Sequence, residues 1–97
     1  MICLDTQNRI AVSQAIREVS ELDFSKEIRM YIKLKDNKPF LILSNALDLD
    51  LPCFGKAHVD DKCRITLPKE LRKYMNITVK TNLLIYTLKG ELTVEIL

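Results

Sequence analysis

The clearest period in this chain is two. Ile28, Met30, Ile32 and Leu34 alternate with Arg29, Tyr31, Lys33 and Lys35, the pattern of a strand with one buried and one solvated face. Asp36-Asn37-Lys38 supplies a turn, and Pro39–Leu43 returns as the second arm of a hairpin. Proline at the head of that arm suits an edge or the start of a ladder, where an amide is dispensable. A second hairpin follows near the C-terminus. Asn82–Leu88 runs out, Lys89-Gly90 turns, and Glu91–Leu97 returns with Leu92, Val94 and Ile96 on one face. Shorter alternations predict strands at Arg9–Val12 and Arg64–Leu67, each reached through a short strand and a turn led by Asp5 or Asp60. A brief helix follows each one. Ser13 suits the N-cap of the first, whose apolar stripe is Ala15, Ile16 and Val19. Pro68 suits the first turn of the second, whose stripe is Leu71, Tyr74 and Met75. Both stripes read as core.

These elements recur at a displacement of 55 positions. Leu4–Ser13 then lies over Val59–Pro68, with Asp5 on Asp60, Arg9 on Arg64 and Ile10 on Ile65. The register continues through Ile16 on Leu71, Arg17 on Arg72, Leu22 on Ile77, Ile28 on Leu83, Met30 on Ile85 and Tyr31 on Tyr86. The chain therefore divides into repeat 1 (residues 1–43), an acidic, proline-containing connector (44–54) and repeat 2 (55–97). One such unit is too small to bury its own apolar face. Two packed together make one compact, mainly β domain with two short helices and a closed β core.

The run His58-Val59-Asp60-Asp61-Lys62-Cys63-Arg64-Ile65-Thr66-Leu67-Pro68-Lys69-Glu70-Leu71-Arg72 resembles the AbrB/MazE/SpoVT family of bacterial transcription factors and antitoxins. Leu84-Ile85-Tyr86 and the closing strand are similar to it as well. Two copies in one chain, each with Asp-xxx-Arg, look like the tandem-repeat MraZ branch. The resemblance implies a swapped-hairpin β-barrel with pseudo-twofold symmetry inside one chain. It also implies that double-stranded DNA is bound by basic residues on one face. The matching positions are Arg64, Arg72 and Lys73 in repeat 2 and Arg9 and Arg17 in repeat 1, with Lys62 in the turn beside them. Arginine suits the task because its planar guanidinium grips a guanine edge with two hydrogen bonds. Asp5 and Asp60 are assigned to structure: each can satisfy turn amides and orient the arginine four residues on. Tyr31 and Tyr86 read as packing residues. The sequence departs from the family pattern at three places. Cys63 and Asn8 stand where the family has glycine, Ser13 stands where it has proline, and Glu18 occupies the position of Lys73.

Charge bears on that reading. The 97 residues hold 15 Lys+Arg and 13 Asp+Glu, a net charge of +2. Repeat 1 contributes +1, the connector −2 and repeat 2 +3, so the basic face belongs chiefly to repeat 2. Phosphate neutralisation supplies most of the affinity for DNA, which makes one unit a modest binder. Assembly into a homo-oligomer would raise that affinity by avidity. Two other readings stay open: an antitoxin-like module that binds a protein toxin, and a structural or assembly domain without DNA binding. Antitoxins of this family usually carry a C-terminal tail, whereas this sequence stops inside its last predicted strand.

The remaining chemistry is sparse. The longest apolar runs, Phe40–Leu43 and Leu83–Tyr86, are four residues long, and neither a membrane span nor a signal peptide is expected. Cys3, Cys53 and Cys63 read as free thiols of a cytoplasmic, nucleoid-associated protein. A Cys53-x4-His58-x4-Cys63 zinc site lacks a fourth ligand, and Gly55 and Gly90 lie too far apart to form a phosphate loop. No enzyme, cofactor, metal or small-molecule substrate is expected.

Overall fold

The computed structural model describes residues 2–97. The chain runs β1 (Arg9–Ala11), α1 (Gln14–Val19), β2 (Arg29–Lys35), β3 (Lys38–Ser44), β4 (Cys53–Lys56), β5 (His58–Val59), β6 (Arg64–Thr66), α2 (Lys69–Met75), β7 (Leu83–Leu88) and β8 (Glu91–Ile96). The strands form two antiparallel sheets, a three-stranded one in the order β1-β6-β5 and a five-stranded one in the order β4-β2-β3-β8-β7. The fold is thus mainly β with two short helices, and its radius of gyration of 12.2 Å is that of a compact chain of this length.

Both hairpins form where the alternation places them. Asp36 and Asn37 take φ of 52° and 62°, and Lys89 and Gly90 take 54° and 82°. Two successive positive φ values match the twist of the flanking strands. Lys38 therefore belongs to β3 rather than to the turn. Pro39 lies opposite Leu34, short of the Leu41–Leu43 segment that pairs with β8, so its missing amide interrupts no ladder. Gly90 has a second constraint. A Cβ there would stand 2.4 Å from the Glu21 side chain, because the Glu21 amide donates to the Gly90 carbonyl at 2.8 Å.

The core lies between the two sheets. Ile10 and Ile65 face each other at the centre of the β1–β6 ribbon. They pack with Met30, Ile32, Leu41, Leu43, Leu83, Leu92 and Val94 from the large sheet and with Leu71 and Met75 from α2. The helix stripes are only partly core. α2 buries Leu71 and Met75 and leaves Tyr74 exposed against Phe54, ring centroids 5.5 Å apart. α1 buries no residue fully. It is six residues long, so only Ile16 packs against the core, and Val19 is 65% exposed. Its cap is as expected, with Ser13 Oγ accepting from the Ile16 amide at 3.3 Å. Pro68 stands at the N-cap of α2, one residue earlier than expected.

The expected closed barrel does not form among the described residues. β1 and β6 have three residues and β5 has two, too few to ladder onto the edges of the large sheet. What joins the sheets is a pair of short bridges. Ile2 exchanges amide and carbonyl with Leu83 at 2.9 and 2.7 Å, and the Ala57 amide donates to the Ile28 carbonyl at 2.7 Å. These two contacts are related by the same 55-residue displacement, as are Val12 N–H to Cys63 O (3.1 Å) and Leu67 N–H to Asn8 O (2.9 Å). The connector runs from the end of β3 without regular structure as far as Pro52. Its end enters β4, which adds to β2 with an irregular register between Arg29 and Tyr31.

Candidate nucleic-acid interface

Asp5 and Asp60 organise two turns with the same hydrogen bonds. Asp5 Oδ1 accepts from the amides of Gln7 (2.8 Å) and Arg9 (2.9 Å), and Oδ2 accepts from Arg9 Nε at 2.8 Å. Asp60 Oδ1 accepts from the amides of Lys62 and Arg64, both at 2.9 Å, and Oδ2 accepts from Arg64 Nε at 2.6 Å. A short carboxylate suits both tasks, since one oxygen closes the turn and the other holds the guanidinium. The Arg9 amide, joined by its side chain and the Gln7 amide, holds the Asp5 carboxyl below its ordinary value of 3.8. Asp60 is lowered in the same way by the Arg64 amide, its side chain and the Lys62 amide. The residue before each arginine takes the left-handed conformation, Asn8 at φ 60° and Cys63 at φ 56°. Glycine is favoured there because it has no Cβ to strain.

Alternation along the β1–β6 ribbon then sorts the side chains. Ile10 and Ile65 turn into the core, and Arg9, Ala11, Arg64 and Thr66 turn outward. Arg9 stands opposite Thr66, and Arg64 opposite Ala11, so the two arginines lie about 7 Å apart along the ribbon. His58 on β5 is exposed and opposite Thr66, and it extends the same face. From the sequence, His58 is considered in a zinc spacing and is not placed on this face. The signal that places it on this face is the in–out alternation with Val59, legible only once β5 is known to pair with β6.

The six basic residues singled out from the sequence do not play equal parts. Arg9 and Arg64 come together, and Arg9 Nη1 reaches Asp60 Oδ2 at 3.5 Å. Arg9 thus contacts both aspartates. Arg64 uses Nε on Asp60, and its terminal nitrogens have no protein partner among the described residues. Arg17 reaches from α1 to the other turn, donating from Nη1 to Cys63 Sγ at 3.2 Å, while its buried Nε has no partner. Arg72, in the last turn of α2, donates from Nε to the Leu67 carbonyl at 3.0 Å. Lys62, in the turn, and Lys73, on α2, are exposed and form no ion pair among the described residues. Cationic residues late in a helix also complement its dipole, so Lys73 has a structural use as well.

The two aspartates and two arginines together are electrically neutral, and the surplus positive charge comes from the residues around them. Cys53 lies in β4 and Cys63 in the turn before β6. All three cysteines are free thiols. Among the described residues no group of three or more His, Cys, Asp or Glu side chains could hold a metal ion, so the Cys53–His58–Cys63 spacing does not become a ligand set. No helix among the described residues is long and apolar enough to cross a membrane. No family model, curated protein or solved structure matches this chain.

Proposed function

We propose that this chain is a duplex-DNA-binding transcriptional regulator of the AbrB/MazE/SpoVT type, with two tandem swapped-hairpin repeats interleaved in one molecule. The interleaving is supported by the contacts Ile2–Leu83 and Ala57–Ile28, and Val12–Cys63 and Leu67–Asn8, which recur at a displacement of 55 and join one half of the chain to the other. The central Ile10–Ile65 pair, itself related by that displacement, supports it too. The observation that carries the functional reading is the pair of Asp-braced arginines, Arg9 and Arg64, displayed side by side on one solvent-facing ribbon.

In this reading Arg64 meets the base edges. Asp60 fixes its Nε and leaves both terminal nitrogens for a two-pronged hydrogen bond to guanine. Lys62, Arg72 and Lys73 neutralise phosphates and set the register. Arg9 bridges the two aspartates and positions the turns. Arg17 buttresses the repeat 2 turn through Cys63. Such a protein would work at the nucleoid. A second reading, a structural or assembly domain without DNA binding, is favoured by the internal charge balance of the Asp5–Arg9–Asp60–Arg64 cluster.

Adding a short duplex to isotopically labelled protein separates the two. The DNA-binding reading expects amide shifts concentrated in residues 5–11 and 58–66. Shifts absent at low salt, or confined to the large sheet, would favour the assembly domain.

A further inference from the structure

The five-stranded sheet turns one face to the core and the other outward. On the outward face the cross-strand registers align Tyr31, Ile42, Thr93 and Tyr86 in one row. Ile42 and Thr93 form the floor of a shallow groove of about 110 Å³. Its sides are Lys33 and Lys35 on β2, Phe40 on β3, Glu91 on β8, and Tyr86 and Leu88 on β7. Thr93 is 3% exposed, yet its hydroxyl has no partner among the described residues. Leu88 is 56% exposed at the rim. The two matching tyrosines differ. Tyr31 is 1% exposed and donates to the Ala46 carbonyl, and the neighbouring Ile32 amide donates to the Pro52 carbonyl at 3.0 Å. The connector loop therefore braces the β2 side. The Tyr86 hydroxyl has no such partner among the described residues, and no loop braces the β7 side in this way.

Charge is divided across the groove. The β2 side carries Lys33 and Lys35, and β8 carries Glu91 and Glu95. Lys38 already approaches Glu95 at 3.7 Å, whereas Glu91 has no ion pair among the described residues. We propose that this face pairs with the same face of a second copy of the chain, about a twofold axis parallel to the strands. That rotation sets β2 of one copy over β7 of the other and β3 over β8. Lys33 and Lys35 then approach Glu95, which is level with Lys33 and Phe40, while Glu91, one position beyond the Leu43–Leu92 pair, comes over Ser44 and Arg29 of the other copy. Phe40, Tyr86 and Leu88 fill the shared groove at the spacing of about 10 Å usual for stacked sheets. An in-plane axis across the strands would instead set lysine side on lysine side and glutamate on glutamate. An apolar floor with one cationic and one anionic side is complementary to itself, as an isologous interface requires. The same glutamates repel a polyanion. The outer face of the small sheet, across the core, stays open in both copies.

The test is the mass of the wild-type chain by light scattering at about 100 μM, a concentration that populates a micromolar dimer. The expected mass is twice 11.2 kDa. Lys33→Glu/Lys35→Glu and Glu91→Lys/Glu95→Lys should each weaken self-association by about tenfold or more. An equimolar mixture of the two variants should restore the two-chain mass. Leu88→Asp, at an exposed position, should also give monomer, and circular dichroism of each variant should match the wild type. A monomeric wild type overturns the proposal. So does a dimer that persists in all the variants, which would place association on another surface. Failure of the mixture to re-associate overturns the lysine-to-glutamate arrangement.

Discussion

At the scale of single residues, the two Asp-led turns share their chemistry but not their strain. Asn tolerates a left-handed φ because its side chain can bond locally, and Cys does not. Cys63 at φ 56° therefore carries a cost that Asn8 largely escapes. Cys63→Gly should stabilise the fold by about 1 kcal/mol, read as a higher urea midpoint. The Arg17 contact it gives up ends on sulfur, a weak acceptor. A lower midpoint would show that the thiol contact outweighs the strain. The aspartates add a pH dependence. Both carboxyls are held below 3.8 in the folded chain, so the unfolded chain binds more protons as the solution turns acid. Their contribution is complete above the ordinary carboxylate range and is lost as pH falls through the lowered folded values. The urea midpoint should drop on acidification below about pH 4. Asp5→Asn/Asp60→Asn should lower it at neutral pH and flatten that decline. Some slope should remain, because Asp23 and Glu27 are lowered too, by Ser25 and by Arg29 and Lys56 respectively. An unchanged slope would remove the carboxylates from the account. The Asp–Arg pairing was legible in the sequence because i to i+4 spacing in a turn is local. The Arg9–Asp60 contact was not, since it depends on two strands 55 residues apart meeting in register.

At the scale of elements, period-two patterns located both hairpins almost to the residue, since alternation and turn chemistry agree there. The helices were harder to read. A stripe such as Ala15, Ile16 and Val19 implies burial only if something packs on it, and a helix of six residues offers the core a single position. Ile65→Ala, at the centre of the ribbon and 0% exposed, should cost about 3 kcal/mol. Val19→Ala should change stability by less than about 0.5 kcal/mol. Denaturant titration of the two variants checks the contrast, and similar losses would restore α1 to the core. β4 was missed because Cys53-Phe54-Gly55-Lys56 lacks alternation and takes strand geometry by pairing with β2. Barrel closure was overestimated for a related reason: the strand expected to lead into Asp5 forms only the Ile2–Leu83 bridge, and the shortness of β1, β5 and β6 decides whether edges meet.

At the scale of the whole molecule, the two sheets give the chain two different outer faces. The small sheet presents Arg9, Arg64, Thr66 and His58, and the large sheet presents an apolar groove with divided charge. A net charge of +2 cannot by itself attract a duplex strongly, so affinity rests on where the cations stand and on how many such faces act together. The central claim is that the small-sheet face binds DNA. Its most direct test is fluorescence anisotropy with the DNA upstream of the chain's own gene and with unrelated DNA, at low and physiological salt. Wild type is compared with Arg64→Ala/Arg72→Ala. The account predicts preference for the upstream DNA, weakening with salt, an affinity loss of about tenfold or more in the variant, and a salt slope reduced by about one or two. Folded wild-type protein that binds upstream DNA no better than unrelated DNA, or a variant that binds as the wild type does, would contradict it.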